Sequence, residues 1–305
     1  MKKFLFPLSL ILLIVSSCKK DPEVIIYTNN NAPYYGAIPK VTLENYINRL
    51  FIDLIGREPL DAEMISEENT LRANGLSVIS REQLITKLQT NTAYIPGDSS
   101  YKYAYYNRFY ELSKARVLEA ASNAAINERL GEISFAAISD SIAGDSLNFS
   151  LDKRQVRNLV ETMNCEQNYR TDSIQIKDVF AQMVNNAIYD KINMNSFNFI
   201  NATFNDLLFR YPTANEFNAA YDMVEHNLPS VLMGMSGQSK GDYIQVLVNS
   251  KEFYEGIVRW MYKNLLAREP STQELYTEMM TFYKDHNLQK LQMRIMGTNE
   301  YANFK

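Results

Sequence analysis

Cysteine and histidine are almost absent: the chain has only Cys18, Cys165, His226 and His286. Two cysteines exclude a multi-cysteine metal or haem site, and if Cys18 is given over to an anchor, no internal disulfide can form either. Cys165 then reads as a small buried residue. There is no serine-elbow motif, no phosphate-cradling glycine loop and no zinc-binding histidine pair. Basic residues form no long run, and the formal charge of -4 argues against nucleic acid as a partner. Of the pieces of an active site, only carboxylates are plentiful. Glu67 with Glu68, or Asp61 with Glu63, would suit a glycosidase using two acids, but such pairs also mark solvated helix faces. The expectation is therefore a protein that is not an enzyme, with no catalytic residue, metal or cofactor.

What is present is ample apolar material. In 305 residues, 46% are hydrophobic and 12% aromatic, enough to fold one large domain or two ordinary ones without covalent staples. The start of the chain has a separate logic. Lys2 and Lys3 precede an apolar stretch from Phe4 to Val15, too short for a bilayer span of about 20 residues, and small residues follow it. Val15, Ser16, Ser17 and Cys18 resemble the lipobox of bacterial lipoproteins, which implies removal of residues 1–17 and lipidation of Cys18. Loss of both lysines takes the formal charge to about -6. No acidic residue directly follows the cysteine, which resembles lipoproteins sent to an outer membrane. Residues 18–40 carry Asn29, Asn30, Asn31, Pro33, Gly36 and Pro39, and read as a tether reaching up to roughly 70 Å.

A pattern then recurs three times. Phe51, Asp53, Leu54, Ile55, Arg57, Pro59 and Glu63 are matched by Phe204, Asp206, Leu207, Leu208, Arg210, Pro212 and Glu216, and again by Tyr262, Asn264, Leu265, Leu266, Arg268, Pro270 and Glu274. Apolar residues before each Arg fall at helical spacing, the Pro forces a turn, and Thr213 with Glu216 or Ser271 with Glu274 fits a capping box opening a second helix. Leu60 stands where the first copy needs its cap. The arginines read as structural, set near a helix C-terminus with Asp53 or Asp206 four residues earlier. A third element is expected at Asn91 to Tyr94, Ser250 to Phe253 and Thr298 to Tyr301, with Glu252 and Glu300 in its first turn. His226 and His286 precede Asn–Leu at matching places, where Asn74, Gly75 and Leu76 stand in the first copy, and read as helix-ending residues.

These residues resemble bacterial helical domains related to phycobilisome linkers, and the first copy also resembles a helical domain of unknown function found beside cytochrome modules in planctomycetes. The match is best over residues 197–305, partial over 42–94 and absent elsewhere. It implies a scaffolding or adaptor module. No Cys–Cys–His haem-attachment motif is present, so electron transfer is not implied.

The expected architecture is all-α, with helical hairpins at 41–96 and 200–305 and a mostly helical insertion at 97–199. That insertion opens with a run of tyrosines. Tyr103, Tyr106 and Tyr110 share one helix face suited to the core, leaving Tyr101, Tyr105 and Arg108 to contact a partner. Residues 131–150 read as an irregular excursion, and 153–196 as helix-compatible. Ser141, Ser146 and Ser173, each after an Asp and before an aliphatic residue, resemble the short O-glycosylation acceptor of Bacteroidota. The expected function is a lipid-anchored envelope scaffold or adaptor for another envelope protein, the alternative being a surface protein that binds a glycan or peptide.

Overall fold

The computed structural model describes residues 38–95 and 97–304. These residues are all-α apart from one small hairpin, as expected. The helices are α1 Lys40–Ile55, α2 Asp61–Ala73, α3 Val78–Thr90, α4 Tyr101–Val117, α5 Asn123–Ala143, α6 Ser146–Arg170, α7 Ile176–Val184, α8 Ala187–Asn193, α9 Ser196–Leu208, α10 Ala214–Val224, α11 Lys240–Asn249, α12 Lys251–Leu266, α13 Thr272–Asp285, α14 Leu288–Met296 and α15 Asn299–Ala302. Between α10 and α11, β1 (Ser230–Leu232) pairs antiparallel with β2 (Met235–Gly237). No described helix is long and apolar enough to cross a membrane.

Periodicity explains which faces are covered. On α1, Leu43, Tyr46, Ile47, Leu50, Phe51 and Leu54 recur every three or four residues and are buried. The helix stops at Gly56, whose φ of 80° is the left-handed conformation glycine accepts without strain. On α12, Phe253, Ile257, Trp260 and Met261 are buried, and Gly256 lets the helix press onto α9, since a Cβ there would collide with the carbonyl oxygen of Leu207. Phe109, Phe180, Phe253 and Trp260 meet at centroid separations of 5.6 to 6.3 Å and form an aromatic centre contributed by α4, α7 and α12.

The two ends of the described chain are joined. Tyr46 donates to the Met296 carbonyl, Arg49 to the carbonyls of Tyr301 and Leu265, and Tyr301 to Asp53 at 2.7 Å. Helices α1 and α15, some 250 residues apart, thus share one core.

The insertion divides into two parts. Helices α4 and α7 complete the main core, with Tyr105, Phe109, Val179 and Phe180 all buried. Helices α5 and α6 form a long antiparallel hairpin, and the C-terminal part of α6 joins the main core through Cys165 and Tyr169. The base of the hairpin has a small core of Ile126, Ile133 and Leu159 against Ala187, and toward its tip none of residues 138–158 is buried. This corrects the expectation of an irregular excursion at 131–150. Gly131 sits inside α5, where the cost of a helical glycine is carried by the flanking turns. The polar residues lie on solvated helix faces, and the only break is Gly144, left-handed at φ 76°, followed by Asp145 capping α6.

Candidate functional site

The arginines of the recurring pattern have all three guanidinium nitrogens engaged, in the same way at three places. Arg57 forks onto Glu63 at 2.7 and 2.9 Å and sends Nε to Asp98 at 2.6 Å. Arg210 forks onto Glu216 at 2.8 and 2.6 Å with Nε on Glu252 at 2.8 Å. Arg268 forks onto Glu274 at 2.9 and 2.7 Å with Nε on Glu300 at 2.6 Å. Each guanidinium also lies 5.2 to 5.6 Å from an aromatic ring six residues earlier, Phe51, Phe204 or Tyr262. Pro59, Pro212 and Pro270 occupy the intervening turns, each one residue before the cap of the next helix.

The same glutamates accept the N–H of that cap residue: Leu60 at 2.7 Å, Thr213 at 2.8 Å and Ser271 at 2.7 Å. Thr213 and Ser271 return the bond to the N3 amide, closing the capping box. Leu60 has no acceptor on its side chain, so the first box is half made. Hydrogen bonds from the arginines hold Glu216 and Glu274 down to about 2. Planar bidentate pairing of this kind is geometrically specific, and it makes the three arginines parts of the frame.

Three expectations need correction. Asp53 and Asp206 do not pair with the arginines four residues on; Asp53 accepts from Tyr301 and lies 3.6 Å from Arg49, and Asp206 accepts from Tyr189 at 2.8 Å. The counterpart of Ser250 and Thr298 in the first stretch is not Asn91, which ends α3, but Ser100, which caps α4. Likewise the acid matching Glu252 and Glu300 is Asp98. The helix-ending residues also differ: His286 is itself left-handed at φ 53°, whereas Asn227 takes that role after His226, and Gly75 and Leu76 share it earlier.

The tyrosine expectation holds for Tyr106 and Tyr110, both buried, and is overturned for Tyr101, Tyr103 and Tyr105. Tyr101 and Tyr105 are 6% and 1% exposed, while Tyr103 is 44% exposed. Tyr101 donates to Glu63 at 2.7 Å and stands edge-on to Phe51; Tyr105 donates to Gln292 at 2.6 Å. The reason is that α4 is covered on more than one side, by α1, α3, α6 and α7, so its buried stripe is broader than a three-residue face. Arg108 is half-buried, with its side chain against Gly56 and its Nε without a partner among the described residues. None of the three forms an accessible contact platform. Cys165 is buried, and burial pushes its thiol up to about 12, leaving an inert thiol as the composition suggested.

Two features remain that the frame does not explain. The first is a cleft of about 630 Å³ where the end of α4 meets α8 and α9. Arg116 crosses beneath it, donating to the carbonyls of Asp206 at 2.6 Å and Asn205 at 3.4 Å in the last turn of α9, and lying 3.9 Å from the Phe209 ring. A cation there opposes the helix dipole. Desolvation lowers Arg116 to about 10 and raises the Asp206 carboxyl to about 6.

The second is the hairpin tip, where Phe135, Ile138, Ile142, Leu147 and Leu151 are 73%, 59%, 83%, 70% and 40% exposed. Phe135, Ile138 and Ile142 recur at helical spacing and share a face. Asp140, Asp145 and Asp152 gather beside them; partial desolvation and the other two carboxylates raise Asp140 above its ordinary value. Ser141 and Ser146 are exposed at the same tip, and Ser173 in the turn after α6.

Compared with known proteins, the chain matches no family model, no curated protein and no solved structure. Cys18, and with it the leader at 1–17 and the expected tether as far as residue 37, lies outside the described residues; Pro39 and Lys40, at the end of that tether, cap and open α1.

Proposed function

We propose that this protein is a lipid-anchored component of the cell envelope, held through Cys18 at an outer membrane, and that it acts as a non-enzymatic adaptor docking another envelope protein on the tip of its α5–α6 hairpin. The three-part Arg–Pro–Glu frame, read as copies of one unit, serves as the rigid body that carries the hairpin.

The observation behind this reading is the exposed row of Phe135, Ile138 and Ile142 on a hairpin in which none of residues 138–158 is buried. Large apolar side chains clustered in water cost free energy, and such patches rimmed by polar groups mark interaction surfaces. The three aspartates choose between occupants. Anionic headgroups would be repelled, whereas a protein groove that is apolar in the centre and lysine- or arginine-rimmed is complementary.

Affinity purification from crosslinked envelopes tests this. Wild type should recover one envelope protein in stoichiometric amount, and Ile138→Asp with Ile142→Asp should lose it while melting unchanged, because neither side chain is in the core. Equal recovery by the variant contradicts the proposal, and so does recovery of a second copy of this chain alone.

A further inference from the structure

We infer that the cleft between α4, α8 and α9 is a binding site for a neutral saccharide. This rests on observations separate from the hairpin and goes beyond the adaptor reading.

The floor of the cleft is one face of α9, where Asn198, Asn201 and Asn205 recur at i, i+3 and i+7. Asparagine is a poor helix former, because its amide competes for backbone hydrogen bonds, so three on one face of a helix need another explanation. They do little for the fold. The amides of Asn198 and Asn205 make no side-chain hydrogen bond among the described residues, and Asn201 only donates back to the Phe197 carbonyl at 2.9 Å. Each carboxamide offers a donor and an acceptor together, the pairing that a sugar hydroxyl, itself both, satisfies.

Two aromatic rings complete the site. Phe197 and Tyr211 line the cleft and are 59% and 70% exposed. Phe197 is braced from behind by Phe217 at 5.1 Å. Exposed aromatic faces suit the C–H faces of a pyranose ring, which are apolar while its edge is polar. The size is that of a small-molecule site.

Charge argues for a neutral ligand. The guanidinium of Arg116, the one cation among the described residues lining the cleft, is committed through Nε and Nη2 to the Asp206 and Asn205 carbonyls and lies against Phe209, while Glu119 and Asp206 in the same lining oppose an anion. Of the two acids among the described residues lining the cleft, Asp206 is engaged by Tyr189 inside the wall and Glu119 alone is left at the rim, so the site is proposed to bind a saccharide and not to cleave it.

The test is titration calorimetry on the full chain, in a detergent without a sugar headgroup, with cellohexaose, maltohexaose and N-acetylchitohexaose, and with an oligogalacturonate as the anionic control. At least one of the three neutral oligomers should bind, and Tyr211→Ala, or Asn198→Ala with Asn205→Ala, should weaken it tenfold or more with no fall in melting temperature. Binding by none of the three, undiminished binding by both variants, or binding only of an oligogalacturonate overturns the inference.

Discussion

Tyr189 on α8 donates its hydroxyl to the Asp206 carboxyl on α9 at 2.8 Å, and burial of the pair pushes that carboxyl up to about 6. In the unfolded chain an aspartate titrates near about 3.9. Between about pH 4 and 6 the folded protein keeps a proton that the unfolded chain has released. Stability therefore declines as pH rises through that window and is level above it. Asp206→Asn, which keeps an acceptor for Tyr189, removes the decline. It should raise stability at pH 7.5 by roughly 2 kcal/mol and have little effect at pH 4. Thermal melts at the two pH values check this; an equal effect at both would show that Asp206 is not a buried, raised carboxyl.

The forks work in the opposite sense. Arg210 holds Glu216 at about 2, below its unfolded value of about 4.3. That stabilisation is complete above about pH 4.5 and is lost as pH falls toward 2. Arg210→Ala should cost about 1–2 kcal/mol at pH 7, discounted for the partial exposure of both partners, and should flatten the loss between pH 4.5 and 2. Denaturant titrations across that range measure it, and an unchanged acid limb would contradict the role given to the fork.

The caps give a signed pair. Thr213→Ala should cost about 1 kcal/mol, since its hydroxyl accepts the Glu216 amide. Leu60 is 51% exposed and lacks an acceptor, so Leu60→Ser should gain about 0.5–1 kcal/mol by completing the box with Glu63. Chemical denaturation of both variants reads the two signs, and destabilisation by Leu60→Ser would refute the half-made box.

The anchor is testable apart from the fold. Cys18→Ala should abolish incorporation of an alkyne fatty acid and leave the chain uncleaved or released from its lipid. Equal labelling of wild type and variant would remove Cys18 from the account.

What could be read beforehand was local chemistry. An Arg, a Pro and a Glu at fixed offsets, with Thr213 or Ser271 between, specify a turn and a cap through neighbours within six residues, and the bonds found there are those bonds. Asn91 misled because a polar residue three before an aromatic also occurs in the extended stretch after α3, and only the fold shows that Ser100 does the capping. The tyrosines of α4 misled because periodicity shows a helix has a face, but not that four other helices cover it. The cleft was out of reach, since Arg116 and Asp206 are 90 residues apart and neither belongs to a motif with the other. Its one trace in the sequence is the spacing of Asn198, Asn201 and Asn205.

The central claim is that the hairpin tip is a docking surface. A photo-crosslinking amino acid placed at Phe135 or Ile142 in the native envelope tests it most directly, with Tyr276 on α13, itself 61% exposed, as the control. The account predicts one discrete heterologous adduct from both tip positions and none from Tyr276. No adduct from the tip, or the same adducts from all three positions, would contradict it.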